Sequence, residues 1–466
     1  IILGISMIIP IVIQIIYGEL DSSFIGAGII TIIFGILFFL ANLDHDKKLS
    51  LQQAFLLTSL SWLSIAIFGS LPFIFSSLQL SITDSLFESM SGITTTGSTI
   101  IINLNESPKA ILLWRALLQW LGGIGIIVMA ITLMPIMNVG GMQLLKVSSS
   151  DASEKILPKT KEITLRIIAI YLALTFLCAF FYKVFGMKFF DSLTHSMTTI
   201  ATGGFSTSDQ SFAQFNSNMI EWICVVFMIL GSLPFVIYLK SLHGDFKSFF
   251  KDDQIRLFFI LIFILILAMT VWLIVISNQP LNSSFRESSF NIISILTGTG
   301  YSSTNFNLWG SFGLVVLFII MFIGGCAGST TGGIKIFRLQ LLFHAGRTQI
   351  KKLIQPHGVF VTTFNKRTVK EEAFNSVMGF FFLYIALFSI VACLLGFMGI
   401  DFLTSISASA SAISNVGPGL GDIIGPSGSY NTLPDLAKWI LSLTMIVGRL
   451  EIFTFLVLFS RNFWRI

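Results

Sequence analysis

The feature that most narrows what this chain can become is a set of long stretches with no charged residue, among them 257–277 and 373–400. A helix needs about 20 apolar residues to cross the roughly 30 Å hydrocarbon layer of a bilayer, and each of these stretches is long enough. Only 11% of the 466 residues are charged, where soluble domains carry about a quarter. A soluble multidomain enzyme is therefore excluded, and the expected fold is all-α, polytopic and membrane-embedded. Residues 1–17 are apolar too, with neither a basic leading region nor a small-residue cleavage site, and are expected to be a retained helix. The chain opens at Ile1, so a preceding start is expected. Cys178, Cys224, Cys326 and Cys393 all fall in apolar runs without metal-ligand spacing, so they are expected to pack and not to bind zinc or form disulfides.

Charge placement supplies an orientation. Lysine and arginine cluster in a few connections: Lys47 and Lys48; Lys146, Lys155, Lys159, Lys161 and Arg166; Lys240, Lys247, Lys251 and Arg256; the segment from Lys335 to Lys370; and Arg461 with Arg465. Basic residues stay on the cytoplasmic side, so these connections and the C-terminus are expected inside and the basic-poor ones outside. The net charge of +5 is a topology signal, with no aromatic-interleaved basic patch for nucleic acid.

Two leading helices, near 1–17 and 24–42, are expected before four pairs near 53–76 and 109–137, 163–186 and 218–240, 255–277 and 309–350, and 373–398 and 436–460. Between the members of each pair lies a segment too apolar for a solvated loop and too short to span. These read DSLFESMSGITTTGST from Asp84, DSLTHSMTTIATGGFST from Asp191, ESSFNIISILTGTGYSS from Glu287 and DFLTSISASASAISNVGPGL from Asp401. Each opens on an acid expected to cap a short helix, and each ends in a turn with a glycine, at Gly97, Gly203, Gly300 and Gly417. Recurrence at about 100 residues is an internal fourfold repeat. The domains expected are 1–50, two extra N-terminal transmembrane helices, then repeats at 51–160, 161–252, 253–368 and 369–466.

A helix of about 12 residues is roughly 18 Å long, so each short segment dips into the membrane and returns as irregular chain. Irregular backbone at that depth must line a watery cavity or be buried in protein. Four such turns around an axis make a ring of carbonyls, which can replace the hydration shell of a monovalent cation; fixed carboxylates, which would suit calcium, are missing from the turns. A second register, QWLGGIG, MILGSLP, MFIGGCA and MIVGRLE, aligns Gly122, Gly231, Gly324 and Gly448. In the third copy GGCAGSTTGG, 324–333, puts Gly324, Gly325, Gly328, Ser329, Thr330, Thr331, Gly332 and Gly333 into mid-span. Glycine is poor inside a helix, so a break into an intramembrane loop is expected. Arg449 sits mid-span in the fourth copy, an expensive place for a charge, and with the loop it is the expected inner-side gate.

The repeated helix–turn–helix units, GGIGI, GGCAGSTTGG, VGRLEIF, GPGLG and the terminal FWR resemble the membrane subunits of bacterial Trk potassium uptake, the TrkH family, over essentially the whole chain. The resemblance implies four pseudo-symmetric M1–P–M2 repeats after two extra helices, and potassium uptake across the bacterial inner membrane with the filter facing outside. It also implies a homodimer with one pore per protomer, and a cytosolic TrkA-type regulatory subunit that carries the nucleotide, ATP/ADP or NAD, while this chain holds no cofactor beyond K⁺ itself. Residues implied at the filter are Thr95, Thr96 and Gly97; Ala201, Thr202 and Gly203; Gly298, Thr299 and Gly300; and Asn415, Val416 and Gly417. TGTGY and the extra Gly204 depart from the usual turns. A proton- or sodium-coupled symporter on the same fold is the nearer alternative, with Glu88, His195, Arg449 and Glu451 as its few intramembrane titratable groups. A membrane-embedded enzyme is remote, since no acid/base or nucleophile pair stands out.

Overall fold

The computed structural model describes residues 1–19, 21–42, 50–132, 156–358, 360, 363–365, 367–369 and 371–465. Lys47, Lys48, Lys146, Lys155 and Lys370 of the expected inner connections lie outside the described residues. Described crossings follow the apolar stretches: Ser23–Leu40, Leu51–Phe75, Lys109–Thr132, Ile156–Val184, Asp253–Ser277 and Glu371–Phe397 are uninterrupted. Ile2–Ser6 and Ile8–Tyr17 form the leading apolar helical stretch, joined at Met7. Two stretches expected to be single helices are instead sharply bent. Asn218–Ser232 meets Phe235–Leu242 at 91°, and Asp435–Arg449 meets Ile452–Phe459 at 114°. Pro234 explains the first, since proline lacks an N–H and clashes with the preceding turn. At the second, Glu451 adopts φ +66°, a left-handed conformation that stops a helix.

The expected interruption of the third pair is present: Gly310–Met321 ends before the glycine-rich segment and Ile336–Ile354 begins after it. The short helices are Ile82–Ile93, Phe189–Ile200, Leu281–Leu296 and Phe402–Ser414. Only the fourth starts on its acid, with Asp401 accepting from Thr404 N. The first is capped by Ser81, the second and third follow Lys188 and Pro280, and Asp84, Asp191 and Glu287 fall inside their helices. Asp84 and Asp191 instead receive side chains from elsewhere, Lys438 Nζ at 2.7 Å and Thr207 Oγ1 at 2.8 Å. Asp401 is held below the usual carboxylate range by the Thr404 donors.

Each short helix packs between the two long helices of its own repeat and against the second long helix of the repeat before it, the first meeting the fourth. The four quarters therefore close in a cycle. Polar clamps reinforce every junction: Arg115 donates to Ser206 O, Arg286 pairs with Glu221, Asn307 exchanges two hydrogen bonds with Gly421, and Lys438 pairs with Asp84. Between Ile336–Ile354 and Glu371–Phe397, Thr363–Phe364 and Arg367–Thr368 form a minimal antiparallel hairpin. Two cations counted with the inner connections, Lys335 and Arg338, are buried, because they belong to the break itself.

Candidate functional site

The four turns share one backbone design. Each short helix ends with an amide reaching back five residues: Thr96 N to Ser91 O, Gly203 N to Thr198 O, Thr299 N to Ser294 O and Val416 N to Ser411 O. The residue before each of these is left-handed, at Thr95, Thr202, Gly298 and Asn415, and so is the residue after, at Gly97, Gly204, Gly300 and Gly417. Alternation of left-handed with other backbone turns successive carbonyls to the same side, and glycine meets φ > 0 without a Cβ penalty.

This pattern corrects the register of the second turn. The residue equivalent to Gly97, Gly300 and Gly417 is Gly204, and the expected trio Ala201, Thr202 and Gly203 stands one residue early. The helix that ends at Ile200 sets the phase, and the GG pair hid it. Gly97, Gly204, Gly300 and Gly417 also line one open vestibule together, walled by Arg115, Asp209 and Ser429.

At each junction a carbonyl is lodged against the glycine of the repeat before it, the first repeat following the fourth. A Cβ on Gly97 would lie 2.2 Å from Gly203 O, on Gly204 1.8 Å from Thr299 O, on Gly300 2.0 Å from Val416 O, and on Gly417 2.7 Å from Thr96 O. Thr96, Gly203, Thr299 and Val416 thus form one closed level. Gly417 O, one residue outward, is occupied by the hydroxyls of Ser98, Ser411 and Tyr430. Hydroxyls also brace the turns from behind: Thr94 with Thr96, Thr297 with Thr299, and the Asn415 amide with Thr96 Oγ1 at 2.9 Å.

Charge is kept out of this level by pairing. Glu88, fully buried, accepts from Arg115 Nε at 2.7 Å and from Ile100 N at 2.8 Å, and Arg115 lies 4.1 Å over the Phe205 ring. Arg115 was not singled out from the sequence, although a lone arginine in ILLWRALLQWLGG is a visible signal. His195 is held between Asp191 O and Ser206 Oγ, a packing and bridging role.

Below the ring the broken helices of repeats 2, 3 and 4 converge. The segment 324–333 is buried throughout and is pinned to the proline break by Cys326 N to Ser232 O and Phe235 N to Gly328 O. Thr330 Oγ1 donates to Ile200 O and contacts Thr202 Oγ1 at 3.1 Å, which puts the loop directly beneath the second turn. A Cβ on Gly332 would meet Ser414 O at 2.3 Å, so the loop crosses to the fourth turn as well. Arg449 Nη2 donates to Thr330 O at 2.8 Å, while its Nε and Nη1 have no partner among the described residues. Glu451 is engaged by Arg338 and not by Arg449. Gly122, Gly231 and Gly448 rest against Ile93 O, Ile200 O and Ile413 O, carbonyls at the C-terminal ends of their own short helices; Gly324, aligned with them in sequence, lies in the loop against Gly332 O.

Residues 21–466 match the family model TrkH, described as a cation transport protein. The Trk system potassium uptake protein TrkI of Halomonas elongata is 41% identical over 466 residues, covering 100% of this chain and 94% of its own. The Trk system potassium uptake protein TrkH of Escherichia coli K12 is 35% identical, covering 99% and 96%. The crystal structure of the potassium transporter TrkH from Vibrio parahaemolyticus superposes with a TM-score of 0.92 at 34% identity, over 99% of this chain and 96% of that one. A closed fourfold arrangement of half-crossing helices, an interrupted third repeat and full-length likeness agree: this chain is a multi-pass membrane protein of the TrkH family of cation transporters.

Proposed function

We propose that this chain takes up potassium across the bacterial inner membrane through an axial, channel-like pore. A ring of backbone carbonyls acts as the selectivity site, and the 324–333 loop with Arg449 acts as the inner-side gate. The observation that carries this reading is the closed level of Thr96, Gly203, Thr299 and Val416, each carbonyl seated on the left-handed glycine of the preceding repeat. A bare ion in hydrocarbon costs tens of kcal/mol, and uncharged carbonyls offset that cost while still letting the ion leave. The uncharged ring, with Glu88 neutralised by Arg115, fits a monovalent cation better than a divalent one. Of the filter residues, the carbonyls of Thr95, Thr96, Thr202, Gly203, Gly298, Thr299, Asn415 and Val416 are the best ligands. Gly97, Gly204, Gly300 and Gly417 make the turns, and Ala201 ends the helix.

Glu88 and Glu451 are tied into ion pairs and His195 into two hydrogen bonds, which favours a gated pore over proton coupling. Outward-facing turns, inward-facing basic connections, a homodimer and a nucleotide-binding cytosolic subunit belong to the same reading. The test is rescue of growth at low potassium in an uptake-deficient bacterium, joined to ion flux in liposomes, with Gly97, Gly204, Gly300 and Gly417 each changed to Ser. Unaltered selectivity in all four variants sinks the ring assignment, and flux that a pH gradient drives at zero voltage favours the symporter.

A further inference from the structure

The ring is not equivalent in its four quarters, and the difference centres on Gln119. In the aligned second helices the residue three before the shared glycine is Met228, Met321 and Met445 in three repeats but Gln119 in the first. Gln119 is fully buried. Its amide brackets the turn of the next repeat, with Nε2 donating to Gly203 O at 2.5 Å and Oε1 accepting from Phe205 N at 3.0 Å. A matching change occurs opposite. The register partners of Gly203 are the β-branched Thr96, Thr299 and Val416, and a Cβ on Gly203 would lie 2.4 Å from Gln119 Cδ. Three quarters thus use methionine with a β-branched residue, and one uses an amide with glycine.

A buried amide costs free energy unless both its ends are bonded, and both are. Its consequence falls on the ring itself. Gly203 O is one of the four carbonyls of the closed level, and it receives a side-chain donor. Among the described residues, no hydrogen bond reaches the other three, Thr96 O, Thr299 O and Val416 O. A carbonyl has two lone pairs, so Gly203 O can still face an ion, but it is held at two points and its field is weakened. Carbonyl position and field strength are the two properties by which such a ring tells one monovalent cation from another. A held carbonyl resists contraction around a small ion, and a weaker field compensates the dehydration of Na⁺ less than that of K⁺.

We propose that Gln119 is a specificity-determining residue of the cation ring, fixing and weakening the Gly203 carbonyl so that K⁺ is favoured over Na⁺. This rests on the ring reading above. The experiment measures K⁺/Na⁺ permeability ratios, from bi-ionic reversal potentials or paired liposome fluxes, for the full-length parent, Gln119→Met, Gly203→Thr, the double variant and Gly204→Ala. Gln119→Met is expected to lower the ratio by about threefold or more, a change that general destabilisation, which scales all fluxes together, does not produce. Gly203→Thr alone collides with Gln119 and loses transport. The double variant rebuilds the pair used by the other repeats, so it regains transport while keeping the lowered ratio. Should Gln119→Met alone fail to fold, the double variant carries the test. A parental ratio in either overturns the proposal and leaves Gln119 a packing residue. If Gly204→Ala shifts the ratio and Gln119→Met does not, only the role of Gln119 fails; if neither shifts it, the ring reading fails too.

Discussion

Gly204→Ala distinguishes the two registers of the second turn, and its effect can be worked from distances. Residue 204 has φ +77°, where an L side chain costs about 1–2 kcal/mol. The new Cβ would lie 1.8 Å from Thr299 O, whereas ordinary heavy-atom contact is about 3.5 Å. The turn of the third repeat would have to retreat by more than about 1 Å, in an interior packed too densely to absorb such a shift. Thr299 is also poorly placed to retreat, being fully buried, with its amide on Ser294 O at 2.9 Å and its hydroxyl on Thr297 at 2.8 Å. The displaced atom is a ring carbonyl, so K⁺ uptake is expected to slow by at least about tenfold, or about 1.4 kcal/mol of barrier. Gly203→Ala is milder. Its backbone is not left-handed, and the nearest obstacle is the amide end of Gln119 at 2.4 Å. Initial rates of Rb⁺ or K⁺ uptake in liposomes matched for incorporated protein make the comparison. Parental rates for Gly204→Ala beside lost transport for Gly203→Ala would refute the register and the carbonyl argument with it.

Arg449→Ala removes the donor to Thr330 O and is expected to raise K⁺ flux and to expose a Thr330→Cys reporter to thiol reagents from the inner side; unchanged flux and reactivity count against the gate. Glu451→Gln removes the carboxylate that pairs with the buried Arg338, a loss of up to about 3–5 kcal/mol, and should lower the melting temperature in detergent. Glu88→Gln does the same to Arg115 and should also disturb selectivity, since Glu88 holds Ile100 N just beyond the first turn. Asp401, its pKa depressed by Thr404, stabilises above its unfolded value of about 3.9, and that contribution fades as pH falls through the lower folded value. Asp401→Ala should therefore melt below the parent at neutral pH and converge with it in acid.

Much of this architecture is legible in the residues because membrane burial leaves few options. Uncharged stretches became crossings, half-length segments became half-crossings, and five glycines in the third repeat became a loop. The rest was hidden for local reasons. A Gly-Gly pair offers two phases, and only the end of the helix at Ile200 chooses Gly204. The bend after Arg449 has no proline or glycine at its corner; its signal is Glu451 in a left-handed conformation, which no residue type announces. Acids near the segment starts looked like caps, yet Asp84 and Asp191 serve contacts with Lys438 and Thr207, which lie far off or after the turn. Arg338 and Lys335 counted as inner-surface charges because nothing in a linear count tells a buried cation from an exposed one.

The asymmetry follows from where the loop must sit. A single segment placed on the axis below a fourfold ring cannot be repeated four times, because only one chain fits there. Among the described residues, three of the four second helices break around it: repeat 2 at Pro234, where Ser232 O and Phe235 N hold the loop; repeat 3 to supply it; and repeat 4 after Arg449, which reaches Thr330 O. Repeat 1 supplies an uninterrupted helix through Gly122 and Gln119, which braces the ring. Four identical subunits would bring four loops or none, and four glutamines or none. Joining the quarters in one chain lets each turn keep the shared backbone design while the residues behind it diverge, which is what the proposed division of labour needs: one quarter to tighten the ring and the others to close the path beneath it.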